Sequence, residues 1–99
     1  MDSLRNESQM EREGRLLGET TLGREAQELL NGMVGQFIAK KEQELFEAFK
    51  NVSPKDHEGL VNIRLQASAI SGLRQELTTY VETGIMAQQE WSTGESNEH

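Results

Sequence analysis

Cysteine is absent from the 99 residues, which excludes disulfides, thiolate nucleophiles and cysteine-ligated zinc. Proline occurs once, at Pro54, so only one position is covalently barred from the interior of a helix. Basic side chains are outnumbered, 10 against 17 acids, for a formal charge of -7. That sign repels phosphate backbones and anionic bilayers and removes the usual basis for nonspecific nucleic-acid binding. No run of 18 apolar residues exists, and the first residues form neither a basic n-region nor an apolar h-region. No membrane span and no secretory signal is therefore expected, and the default is a soluble intracellular protein.

What the chain does contain is helical periodicity. Its large apolar residues number 28, of which 23 lie between Thr20 and Trp91. Both ends are too polar to pack by themselves. Residues 1–19 read as a flexible acidic arm of net charge -2, in which Ser8 and Glu11 have the spacing of a capping box for a short helix over Gln9 to Leu17, interrupted at Gly18. Such an arm is expected to be dispensable for stability.

From Leu22 the stripe continues through Ala26, Leu29, Leu30, Met33, Val34, Phe37, Ile38, Leu45, Phe46, Phe49 and Val52, mostly in steps of three and four. This predicts one amphipathic helix over 22–51, capped by Thr20 or Thr21. Gly23, Gly32 and Gly35 interrupt it, each costing up to ~1 kcal/mol relative to alanine unless another backbone approaches closely there. Pro54 ends that helix and starts the next, with Ser53 as N-cap and Asp56 three residues on. The second stripe, Leu60, Ile63, Ala67, Ile70, Leu77 and Val81, predicts a helix over 54–89. Leu73 and Tyr80 widen it and Arg74 occupies a stripe position. Residues 92–99 read as a flexible tail.

Two helices of about 30 residues joined by a turn of about four must fold back on each other, so the expected fold is all-α, an antiparallel helical hairpin over 20–91. Such a hairpin cannot cover both flanks of its own stripes. Self-association, as a dimeric four-helix bundle or a larger ring, completes the core, with Phe37, Phe46, Ile70, Leu73, Arg74, Leu77 and Tyr80 as interface residues.

Chemistry-bearing constellations are sparse. His57 stands between Asp56 and Glu58, but neighbouring helical positions splay by about 100° and do not converge on a metal. No E-x-x-H pair, nucleophile elbow, phosphate loop or dinucleotide fingerprint is present. No catalytic residue, metal ligand or cofactor is assigned. Arg64 and Arg74 stand near an otherwise apolar face and must find a carboxylate, a carbonyl or a ligand anion. For Arg74 the expected partner is Glu42, Glu44 or Glu47 across a subunit interface. Alternatively, Arg64 or Arg74, with Tyr80, lines an intersubunit site for an anionic nucleotide or similar ligand.

The segments Asp56-His57-Glu58-Gly59-Leu60, Ile63-Arg64-Leu65-Gln66-Ala67 and Tyr80-Val81-Glu82-Thr83-Gly84-Ile85-Met86-Ala87 resemble small uncharacterised proteins of tailed bacteriophages. The resemblance covers about a third of the chain and implies a phage origin. It implies either an oligomeric virion or assembly component, or a small early protein that blocks a host defence factor. Its place is then the host cytoplasm or the virion, and its partners are itself and another phage or host protein.

Overall fold

The computed structural model describes residues 7–96. These residues form three helices rather than the two expected: α1 (Gln9–Asn31), α2 (Met33–Asn51) and α3 (His57–Ser96), with no strand among the described residues. The all-helical expectation holds. The number of helices and most of their ends are corrected.

The first helix starts thirteen residues before Leu22 because a local cap competes well there. Ser8 Oγ accepts from the Glu11 amide at 3.0 Å, and Glu11 Oε1 accepts from the Ser8 amide at 3.0 Å, satisfying two donors that a bare helix end would leave open. Gly18 has open space around it and does not stop the helix. Residues 9–19 are thus helical, and Leu16 within them is 1% exposed. Met1–Asn6 lie outside the described residues.

The expected single helix over 22–51 is broken at Gly32. Its amide bonds to the Leu29 carbonyl at 3.2 Å, tightening the last turn of α1, and its carbonyl accepts from Gln36 at 3.1 Å to open α2. A Cβ at Gly32 would meet the Glu28 carbonyl at 3.1 Å, and one at Gly35 would run into the Leu30 carbonyl. The two glycines therefore permit a bend in which the end of α1 crowds the start of α2.

Pro54 ends α2 as its geometry requires, but the cap of α3 is Asp56 rather than Ser53. Asp56 Oδ1 accepts from the Gly59 amide at 2.9 Å and its carbonyl accepts from Leu60 at 3.0 Å. Ser53 is spent on the turn, where its Oγ accepts from Lys55 and its carbonyl from Asp56. At the other end α3 runs to Ser96, so residues 92–96 of the expected tail are helical and 97–99 lie outside the described residues.

α3 returns along the other two helices. Arg12 meets Glu90 and Gly94, Gly23 meets Gly84, Glu42 meets Arg74, and Val52 meets Gly59. A 40-residue helix is about 60 Å long at 1.5 Å per residue, which accounts for the 65 Å principal extent. The radius of gyration is 20.1 Å, against about 13 Å for a compact chain of this length.

The two halves of this rod pack differently. Where α1 crosses α3, a Cβ on Gly23 would sit 2.9 Å from both Gly84 Cα and the Tyr80 carbonyl oxygen, and one on Gly84 would sit 2.9 Å from Gly23 Cα. Ala26 and Ala87, one turn beyond each glycine, are buried. Small residues on both helices let the backbones touch. The buried hydrophobic side chains among the described residues are only Leu16, Ala26, Ile38 and Ala87. Three of these belong to α1 and α3, and Ile38 lies in α2 just past the bend.

Candidate functional site: an open groove between α2 and α3

Past the Gly32 bend, α2 and α3 stand apart and leave an apolar groove of about 580 Å³. From α2 it is lined by Glu42, Leu45, Phe46 and Phe49, and from α3 by Leu60, Ile63, Arg64, Ala67 and Ile70. The helical period explains the set: 42, 45, 46 and 49, and 60, 63, 64, 67 and 70, are steps of three and four that face one way on each helix. None of these nine is fully buried. Phe46 and Phe49 are 56% and 58% exposed, a large amount of aromatic surface to leave in water.

Charge borders the groove sparingly. Arg74 reaches Glu42 with both ends of its fork, Nη2 to Oε1 at 2.7 Å and Nε to Oε2 at 3.0 Å, the bidentate geometry that suits guanidinium and carboxylate. The hydrogen bonds from Arg74 hold the Glu42 carboxyl below its ordinary range, and those to Glu42 raise the Arg74 guanidinium. Glu42 is one of the three partners expected for Arg74, and here the pair forms within one chain. Arg64, also on the lining, makes no hydrogen bond or ion pair among the described residues. Lys50 Nζ sits 4.8 Å from the Phe46 ring centroid and 3.1 Å from Glu47, so one face of that ring is engaged by a cation.

Of the residues singled out from the sequence, the groove gathers Phe46, Ile70 and Arg64, with Arg74 at its edge through Glu42. Phe37, Leu73, Leu77 and Tyr80 are not on its lining. Phe37 is 49% exposed with Lys41 Nζ 5.7 Å from its ring. Leu73 and Tyr80 are exposed and Leu77 half-buried. Within one chain Tyr80 and Arg64 do not share the lining of this groove.

Three features escaped the sequence reading. The Gly23–Gly84 contact joins a glycine whose close approach the sequence suggests to one it leaves unmarked, and the Gly-x-x-Ala spacing shared by Gly23/Ala26 and Gly84/Ala87 is the available signal. Leu16, in the arm expected to be too polar to pack, is buried. Glu90, just past the expected helix end, accepts from Arg12 Nε at 3.3 Å and Arg15 Nη2 at 3.0 Å while its carbonyl accepts from Arg12. These bonds, chiefly from Arg15, lower the Glu90 pKa.

Among the described residues no group of three or more histidine, aspartate or glutamate side chains could hold a metal, and no helix is long and apolar enough to cross a membrane. Neither a family model, nor a curated protein, nor a solved structure matches the chain.

Proposed function

We propose that the chain is a non-enzymatic interaction protein that associates with itself through its helix faces, as a component of a phage virion or its assembly. The observation that carries this reading is surface left uncovered. The accessible area is 7800 Å², whereas a compact monomer of 11.2 kDa exposes about 5,700 Å² by size scaling. Fifteen large hydrophobic residues are exposed among the described residues, Phe46 and Phe49 on the groove among them, and exposed apolar surface rimmed by polar residues marks interaction sites.

In this reading α3 and the bent pair α1–α2 form a hairpin whose second half is unfinished, and a further copy finishes it. The phage assignment rests on the likeness of the three α3 segments to small tailed-phage proteins. Sedimentation equilibrium is the test. A dimer or larger species at micromolar concentration is expected, and a monomer that persists to roughly 100 μM would overturn the reading.

One observation favours a second reading, an inhibitor or sponge for an anionic ligand: Arg64 faces the groove without a partner among the described residues. Arg64 is exposed, and its planar fork suits a phosphate or carboxylate arriving at the groove. Isothermal titration with nucleotides separates the two. Heat that saturates with wild type and vanishes in Arg64→Leu, at unchanged mass, selects the ligand site, and no heat selects the structural one.

A further inference from the structure

We propose that Asn31 is a site of spontaneous covalent modification, at which the side-chain amide is lost as ammonia and the bend between α1 and α2 acquires an aspartate or isoaspartate. This concerns the bend alone and goes beyond the self-association reading.

The chemistry begins in the sequence. Of the five asparagines only Asn31 precedes a glycine, whereas Asn6 and Asn97 precede glutamate, Asn51 precedes Val52 and Asn62 precedes Ile63. Deamidation is an attack by the backbone nitrogen of the following residue on the asparagine Cγ, and a glycine there has no Cβ to obstruct it. Valine and isoleucine, branched at Cβ, crowd the same approach.

The fold then sets how firmly that nitrogen is held. In a helix interior it is bonded to the carbonyl four residues back and cannot turn onto Cγ without unwinding. Asn62 is inside α3. At the end of α2 the Val52 amide bonds to the Ala48 carbonyl at 2.9 Å, and Asn51 Nδ2 donates to the Glu47 carbonyl at 2.9 Å, so attacking atom and leaving group are both engaged. Asn31 is the last residue of α1, and the Gly32 amide has only the Leu29 carbonyl at 3.2 Å, a three-residue bond of poorer geometry. No side-chain cap ties down the start of α2, so breaking that one bond frees the nitrogen at the cost of a local opening. Water reaches the place, because Asn31 and Met33 on either side of Gly32 are exposed. Gln27 Nε2 donates to Asn31 Oδ1 at 3.0 Å, a hydrogen bond on the oxygen where negative charge builds during attack, while Nδ2 makes none among the described residues.

The step is redox-neutral. The Gly32 nitrogen gives its proton to water and joins Cγ, the Cγ–Nδ2 bond breaks, and Nδ2 leaves as ammonia with a proton taken from water, closing a succinimide ring. A second water opens the ring, at Cγ to give aspartate or at the residue 31 backbone carbonyl to give isoaspartate. The net change is an amide and a water converted to a carboxylate and ammonium. That carboxylate stands at the negative end of the α1 dipole, and isoaspartate lengthens the main chain where Gly32 and Gly35 already crowd α1 against α2. Both products loosen the bend.

Peptide mapping of the intact folded chain, aged in neutral buffer, is the test. Trypsin puts Asn31 in residues 25–40, Asn51 in 51–55 and Asn62 in 56–64. Peptide 25–40 is expected to gain about 1 Da, and fragmentation to place the gain at residue 31 as a mixture of aspartate and isoaspartate. Its conversion is expected to be ~10-fold or more faster than that of either other peptide, and within ~10-fold of its own rate in the urea-unfolded chain. A folded chain that converts 25–40 no faster than 51–55 and 56–64 overturns the proposal, since the bend then protects Asn31 as a helix interior would. A gain located at Gln27 or Gln36 of the same peptide overturns it as well. Asn31→Asp, which installs one product directly, is expected to quicken amide exchange over residues 32–36 by about twofold or more, and unchanged exchange there overturns the effect on the bend.

Discussion

At the scale of single residues, the glycines divide by what surrounds them. A methyl group added at Gly23 or Gly84 meets the opposing backbone at 2.9 Å, and neither helix can yield locally without parting from the other. Gly23→Ala or Gly84→Ala is therefore expected to destabilise the fold by about 1–3 kcal/mol, an overpacking cost that exceeds the gain in helix propensity. Gly14 and Gly72 have nothing within 4 Å of the added methyl, and alanine there is expected to stabilise by about 0.5–1 kcal/mol. Urea titrations of the four variants at one protein concentration compare the two classes, and a destabilising Gly72→Ala would contradict the assignment. The carboxylates make a second prediction. Glu90, Glu42 and Glu11 have pKa values lowered from 4.5 by hydrogen bonds from Arg15, Arg74 and the Ser8 backbone respectively. The folded chain binds those protons more weakly than the unfolded chain, so the stabilisation is complete above the unfolded value and is lost as pH falls through the lowered ones. Glu90→Gln removes one such group, and its stability is expected to fall less than that of wild type between about pH 7 and about pH 3.

At the scale of elements, the N-terminal segment is part of the packed half of the rod. Leu16 is fully buried, and it lines a small cleft with Leu17, Thr20, Gln88 and Trp91. Arg12 and Arg15 from the same helix clasp Glu90. Leu16→Ala is expected to cost about 2–4 kcal/mol, the transfer term plus the cavity left behind. Deleting residues 1–18 is expected to lower the thermal midpoint by more than that single substitution, since it also uncovers the flank of α3 near Trp91. Circular dichroism melts at fixed concentration test both, and a deletion that melts like wild type would show that α1 begins to matter only after Gly18. The bend makes a companion case. Gly35→Ala drives a methyl into the Leu30 carbonyl, so α2 must re-seat against α3, and the variant is expected to lose stability through the groove end while the Gly23–Gly84 crossing persists. Amide exchange quickening in α2 but not around residues 23 and 84 is the expected pattern.

At the scale of the whole molecule, the rod is closed at one end and open at the other. Backbone contact, buried alanines and the Glu90 clasp hold the α1–α3 end, whereas the α2–α3 end keeps its phenylalanines in water. If a second copy covers that end, folding and association are linked, and the thermal midpoint is expected to rise with protein concentration. A midpoint constant over a hundredfold dilution (a factor of roughly 100) would show that the open end is stable alone. Small-angle scattering at low concentration is expected to return a radius of gyration near the 20.1 Å of the single chain, with a larger value as the dimer forms.

Period and punctuation belong to the sequence. Steps of three and four dictate helices because only that spacing gathers the apolar residues on one side, and the lone Pro54 dictates where the chain turns because its ring bars the helix. The Ser8–Glu11 cap was also legible, since its bonds span three residues. What the tertiary structure decided depends on partners distant in the chain. Leu16 has no apolar stripe of its own and becomes buried only when α3 returns beside it. Gly23 acquires its role only from Gly84, and Arg74 its carboxylate only from the choice among Glu42, Glu44 and Glu47, which local spacing leaves equal. The groove is the clearest case: its two walls were both visible as stripes, but whether they meet or stand apart follows from a bend at Gly32 and Gly35, where backbone crowding between neighbouring helices overrides a periodicity that runs straight through.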